Sequence, residues 1–126
     1  MSAYIQLLEP FTQTIYFEGR GEVFYKKNGF EVYFKDDRYQ YTWKVYPKGC
    51  MIHSKSELDV FLTCKENHQT QGHIDSEYGR IDVLCYTKKY EVKENEVEIK
   101  YDLIQGQEVQ SFHFILYIKE DTSYVH

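Results

Sequence analysis

Tyr78-Gly79-Arg80-Ile81-Asp82-Val83-Leu84-Cys85-Tyr86-Thr87-Lys88-Lys89-Tyr90 is the stretch whose reading decides the fold. Tyr78-Gly79 reads as a turn, and Ile81, Val83, Cys85 and Thr87 then share one face, because side chains alternate across a strand. Farther along, the apolar positions are Tyr90 and Val92, which have the opposite parity. A change of phase inside one strand needs an extra residue, so a β-bulge is expected near Thr87 to Lys89.

Working outward, both flanks read as antiparallel meander. Downstream, Val97, Ile99, Tyr101 and Leu103 alternate with Glu96, Glu98, Lys100 and Asp102, the cleanest period of two in the chain. The last strand sets Phe112, Phe114, Leu116 and Ile118 against Ser111, His113, Ile115, Tyr117 and Lys119, and the end from Glu120 to His126 is expected to fray. Upstream, His68 to Asp75 is the most polar strand, interrupted by Gly72, and suits an edge or seam. Leu58, Val60, Leu62 and Cys64 share a face, and Cys50 to Ser54 is a short strand of open phase. Tyr39, Tyr41, Trp43 and Val45 carry the largest aromatic load pointing one way. Asn28-Gly29 between alternating runs is a hairpin signal, since a type I′ turn needs positive φ at both positions. From Thr14 to Lys26 the expected inner face is Ile15, Phe17, Gly19, Gly21, Val23 and Tyr25, with Tyr16 and Phe24 as apolar exceptions outside. Tyr4 to Leu8 opens the chain, and Pro10 and Pro47 fall where strands stop.

About ten strands at short intervals, with little or no helix, define an all-β chain. A meander that long leaves exposed edges unless it closes, so the expected fold is a single antiparallel up-and-down β-barrel of eight to ten strands spanning residues 1 to 126. Thirteen tyrosines, 8 phenylalanines and 1 tryptophan fit that reading, because aromatic rings suit a pleated, half-buried surface. Fifteen basic against 20 acidic residues give a formal charge of −5 without a basic run, which argues against nucleic acid as a partner. No stretch approaches the apolar length of a membrane span, and the N-terminus has no leader-like pattern. Three cysteines, Cys50, Cys64 and Cys85, leave one thiol over in any pairing and form no CxxC, so a reducing cytoplasm is the expected compartment.

The order Glu18-Gly19-Arg20-Gly21-Glu22 before Tyr25, the Asn28-Gly29 hairpin, Tyr78-Gly79 ahead of Asp82-Val83-Leu84, Thr87-Lys88-Lys89, Ile99-Lys100-Tyr101-Asp102-Leu103 and Ile118-Lys119-Glu120 resembles the YwiB-like family of small bacterial calycin-type β-barrels. The resemblance runs from about Ile5 to Glu120. It implies a lipocalin-like barrel in a cytoplasmic bacterial protein and implies no activity.

A barrel of this size is either filled by side chains or holds one small ligand. Tyr25, Tyr41, Trp43 and Tyr101 are expected to bring hydroxyl and indole N–H groups into the lumen, and Tyr78 and Arg80 to stand at its mouth, where a guanidinium can meet a carboxylate. A surface ion pair of Arg80 with Asp82 or Glu77 is the simpler expectation for that residue. Binding of a small hydrophobic or amphipathic ligand is the first functional reading. A filled barrel acting through its outer surface is the alternative, a homodimer being one form of it; if their strands lie near each other, Leu84, Tyr86, Ile115 and Tyr117 make an exposed apolar patch for an oligomer or partner contact. No cofactor is expected. Cys64, His68 and His73 have metal-binding donors but disagree in phase. Catalysis is not expected either: Ser76 with His73 and Asp75 cannot converge along one strand, and Cys85 reads as buried while His113 points out.

Overall fold

In the computed structural model, which describes residues 1–120, ten strands are joined as a meander: β1 (Ser2–Glu9), β2 (Thr14–Lys26), β3 (Gly29–Lys35), β4 (Gln40–Tyr46), β5 (Gly49–Lys55), β6 (Asp59–Lys65), β7 (Gln69–Ser76), β8 (Gly79–Lys93), β9 (Glu96–Gln105) and β10 (Glu108–Glu120). Each pairs antiparallel with its neighbours in sequence, and β1 pairs with β10 to close the ring. Glu120 ends β10, and the rest of the expected frayed end, residues 121–126, lies outside the described residues. No described residue is helical, so none lies in a helix long and apolar enough to cross a membrane.

The bulge in β8 falls where the parity change places it: Thr87 pairs with Tyr101 and Lys89 with Lys100, leaving Lys88 extra. Val83, Cys85 and Thr87 therefore point inward before the bulge, and Tyr90 after it. The turn from β6 to β7 fastens this kink. Tyr90 N–H donates to Glu66 Oε2 at 2.9 Å, Asn67 N–H to Thr87 O at 2.8 Å and Thr87 N–H to His68 O at 3.3 Å.

The polar strand β7 lies at a seam. It makes eight residue pairs with β8 but only three with β6, ending at Phe61 and His73. Beyond that point Thr70 Oγ1 reaches the carbonyls of Thr63 and Cys85 and bridges the parted strands. Gly72 is required there, since a Cβ on it would stand 2.6 Å from Phe61 O.

One inner-face expectation is reversed at the start of β2. Leu7 pairs with Phe17 but Leu8 with Ile15, so Tyr16 is the extra residue of a second bulge. Ile15 turns outward, half exposed, while the Tyr16 ring meets the Phe114 ring edge-on at 5.3 Å. The alternation from Ile15 to Tyr25 therefore holds only from Phe17 onward, and Tyr25 itself, at the far end of the strand, projects past the wall and is 62% exposed.

Candidate functional site: a lumen sealed at one end

Strand direction gives the barrel two unlike ends. One carries the turns after β2, β4, β6 and β8; the other carries those after β1, β3, β5, β7 and β9. The first end is plugged by Tyr90. Its buried ring crosses the lumen, and its hydroxyl donates to the carbonyls of Tyr46, at 2.6 Å, and Gly49, at 2.9 Å, on either side of the β4–β5 turn. Burial pushes this phenol up, with Cys50 adding to the effect.

Next to the plug lie three thiols. Cys50 and Cys64 face each other across β5 and β6, and Cys64 Sγ stands 3.7 Å from Cys85 Sγ. All three are buried and unbridged. The Cys50 thiol and burial push Cys64 up; the Cys64 thiol and burial do the same for Cys85. A raised thiol pKa lowers the thiolate fraction of Cys64 and Cys85 and so their nucleophilicity.

The middle of the lumen holds Trp43, 1% exposed, and Tyr101, 6% exposed. Trp43 Nε1 is buried without a hydrogen-bond partner, and so is Thr87 Oγ1. The Tyr101 hydroxyl is not one of these buried orphans. Burial, followed by the nearby thiols and the Tyr16 phenol, holds Tyr101 well above the ordinary range. Toward the other end the rings form two ladders. On one side Phe34, Tyr41 and Tyr39 stack at 4.8 and 5.8 Å, with Phe17 tilted against Phe34 at 4.8 Å. Tyr101, Phe112 and Phe114 stack on the other, with Tyr16 at their outer edge. Tyr41 is half-buried; desolvation, then Asp36, Tyr39 and Tyr16, push its phenol up to about 12. Its hydroxyl bonds to no described residue.

The residues expected at a ligand site are thus divided. Tyr41, Trp43 and Tyr101 face the lumen. Tyr25 is outside, and the lysine-rich hairpin beside it carries Lys26, which is paired with Glu31. Tyr78 is 91% exposed at the tip of the β7–β8 turn. Arg80 lies on the outer wall, where Nε and Nη2 grip Asp75 at 2.7 and 3.2 Å; that partner replaces the expected Asp82 or Glu77. Three members of the lumen escape a reading of the sequence: Tyr16, Thr87 as an unpaired hydroxyl, and Tyr90 as the plug. The break in alternation at Ile15-Tyr16-Phe17 is the signal for the first.

The remaining expectations resolve by geometry. Cys64 lies inside the barrel and His73 on its outer wall, while His68 Nδ1 is 2.8 Å from Glu66 O, so the three do not converge. Among the described residues no group of three or more His, Cys, Asp or Glu could hold a metal ion. Ser76 Oγ is occupied within its turn by Gly79 O and Tyr78 N–H, and His113 is tied to Glu98 on the outer wall, away from Cys85. The apolar pairs Leu84/Tyr86 and Ile115/Tyr117 do not merge: β9 lies between their strands, with Glu96, Glu98 and Asp102 in the intervening outward positions.

A closed ring of antiparallel strands with an aromatic lumen defines the class, an all-β barrel. Within it, residues 5–116 match the family described as a domain of unknown function (DUF1934), and the chain belongs to that family. The crystal structure of the ywiB protein from Bacillus subtilis is similar, with a TM-score of 0.62 over 96% of this chain and 89% of that one. The two sequences are 13% identical, so this likeness speaks for the fold alone. No curated protein matches significantly.

Proposed function

We propose that the protein is a non-catalytic binding module that holds one small ligand, apolar in its body and bearing a hydrogen-bond acceptor, in the lumen beside Trp43, Tyr101 and Tyr41. Entry is from the end framed by Tyr16 and Tyr39. The observation that carries this reading is a pair of buried lumen groups without partners, the Trp43 indole N–H and the Thr87 hydroxyl, with the phenols of Tyr101 and Tyr41 as further donors on the lumen side. Buried polar groups in folded proteins are nearly always paired, and each one left alone costs about 1–3 kcal/mol. A guest with a carbonyl, ether or carboxylate oxygen among these donors removes that cost. The raised phenols are protonated at neutral pH and so able to donate. Three free, buried thiols suit a reducing, cytoplasm-like compartment.

Trp43 is the only tryptophan in the chain, so its emission reports on the lumen directly. Native mass spectrometry of protein purified from its host, followed by titration with decanoate while Trp43 emission is recorded, tests the proposal. The expected result is a retained adduct or a saturable shift in emission at one site, weakened in a Tyr41→Phe, Tyr101→Phe double variant. A bare chain mass together with unchanged emission at millimolar probe would overturn it, and would leave the outer surface as the working part of the molecule.

A further inference from the structure

The outer wall at the plugged end carries an independent feature. Register sets Tyr46, Gly49 and Lys65 side by side on β4, β5 and β6, with Lys44, Met51 and Thr63 as the next outward row. Gly49 leaves its place in the first row empty, and no side chain fits there, since a Cβ would stand 2.4 Å from Cys64 O. Tyr46 and Lys65 are thus two strand spacings apart, roughly 9.6 Å. Met51 bounds the gap on one side and the Pro47-Lys48 turn on the other. A hollow of about 820 Å³ opens over this gap and runs on to Lys27, on the turn after β2. That is the size of a small-molecule site.

The walls of the hollow carry Lys27, Lys48 and Lys65 and no acid, in a chain whose formal charge is −5. None of the three is in an ion pair among the described residues. The charged groups around the hollow do not cancel them. Lys44 faces Glu31 across β3 and β4, but that carboxylate is already held by Lys26 and Tyr33. Glu66, next to Lys65, has Oε2 on the Tyr90 amide. Tyr46, Pro47 and Met51 supply an apolar lining, with Tyr46 and Met51 half exposed. A ring fits such a lining, and an anion with several acceptors fits the lysines. A phosphate monoester has about 1.5 to 2 negative charges at neutral pH and three acceptor oxygens, so it engages several ammonium groups at once. We propose that this hollow is a second binding site, for a small aromatic phosphate monoester: the ring rests against Tyr46, Pro47 and Met51 over Gly49, and the phosphate meets Lys48 and Lys65, with Lys27 at the far end. The site is separate from the lumen and does not rest on the function proposed for it.

The test is amide chemical-shift mapping of the full chain with phenyl phosphate at neutral pH. Inorganic phosphate, a charge without a ring, and benzyl alcohol, a ring without a charge, are the controls. The expected result is saturable shifts centred on Lys48, Gly49, Met51 and Lys65, with no response of Tyr41 or Tyr101 and much weaker shifts from both controls. Lys48→Gln and Lys65→Gln should each weaken binding about tenfold, the loss of one charge-assisted contact, and the double variant should abolish saturation. Lys119→Gln removes a lysine on β10, away from the hollow, and should leave binding unchanged. Equal binding of inorganic phosphate, wild-type affinity in the double variant, an equal loss in Lys119→Gln, or shifts that never saturate would overturn the proposal.

Discussion

The two ends of the barrel use the same side chain for opposite purposes. At the plugged end the Tyr90 hydroxyl lies between the Tyr46 and Gly49 carbonyls, and its amide is held by Glu66. In the lumen and toward the mouth, Tyr101 and Tyr41 present hydroxyls that bond to no described residue. Burial raises all three phenols, so burial does not distinguish them; pairing does. A paired buried phenol is structural, and one without a hydrogen bond adds its ring but no such bond to the fold.

The largest expected effect comes from removing the plug. Tyr90→Ala deletes a buried ring together with its hydrogen bonds and should cost about 3–5 kcal/mol in urea denaturation, in the range of large-to-alanine core changes. Tyr16→Ala at the mouth removes a ring that is half exposed and should cost well under half as much. Similar losses for the two would mean that the ends are equivalent. Next is Glu66→Ala, which strips the acceptor from the Tyr90 amide at the bulge and should cost about 2 kcal/mol, a hydrogen bond to a charged group. Hydrogen exchange at Tyr90 N–H should accelerate in the same variant; an unchanged rate would show that the bulge holds without the carboxylate.

Much of this architecture is legible in the sequence because strand parity is a strong constraint. The switch from Val83, Cys85 and Thr87 to Tyr90 within one strand locates the β8 bulge, and the polarity of His68 to Asp75 locates the seam. The bulge at Tyr16 leaves no such mark, since Ile15, Tyr16 and Phe17 are all apolar and either neighbour can face inward. Tyr25 shows a different limit: parity gives the face of a residue but not whether its level lies inside the barrel or beyond its rim. The site residues were only partly legible. Tyr41, Trp43 and Tyr101 follow from inner-face counting, but which of them finds a partner depends on contacts across the lumen that no local pattern encodes. The hollow over Gly49 is invisible for the same reason, since it exists only once β4, β5 and β6 are set in register.

A weaker, pH-dependent effect follows from the raised phenols. Burial, then Asp36, Tyr39 and Tyr16, hold Tyr41 at about 12, and burial holds Tyr90 and Tyr101 higher, against about 10 for a phenol in the unfolded chain. The folded state therefore binds these protons more tightly. The stability linked to them is complete below about pH 10 and falls as pH rises through the folded value of Tyr41. Urea midpoints measured from about pH 9 to 12, with phenolate absorbance recorded in parallel, should decline across that window; a flat profile would contradict the burial of these rings.

The most direct test of the contrast between plug and lumen is the pair of single-atom changes Tyr90→Phe and Tyr101→Phe, compared by urea denaturation of ligand-free protein. Tyr90→Phe leaves two carbonyls without their donor and should lose about 1–2 kcal/mol, whereas Tyr101→Phe removes an unpaired hydroxyl and should be neutral or slightly stabilising. Equal losses in the two variants would show that the Tyr101 hydroxyl is already satisfied within the fold, and would contradict a lumen prepared for a guest.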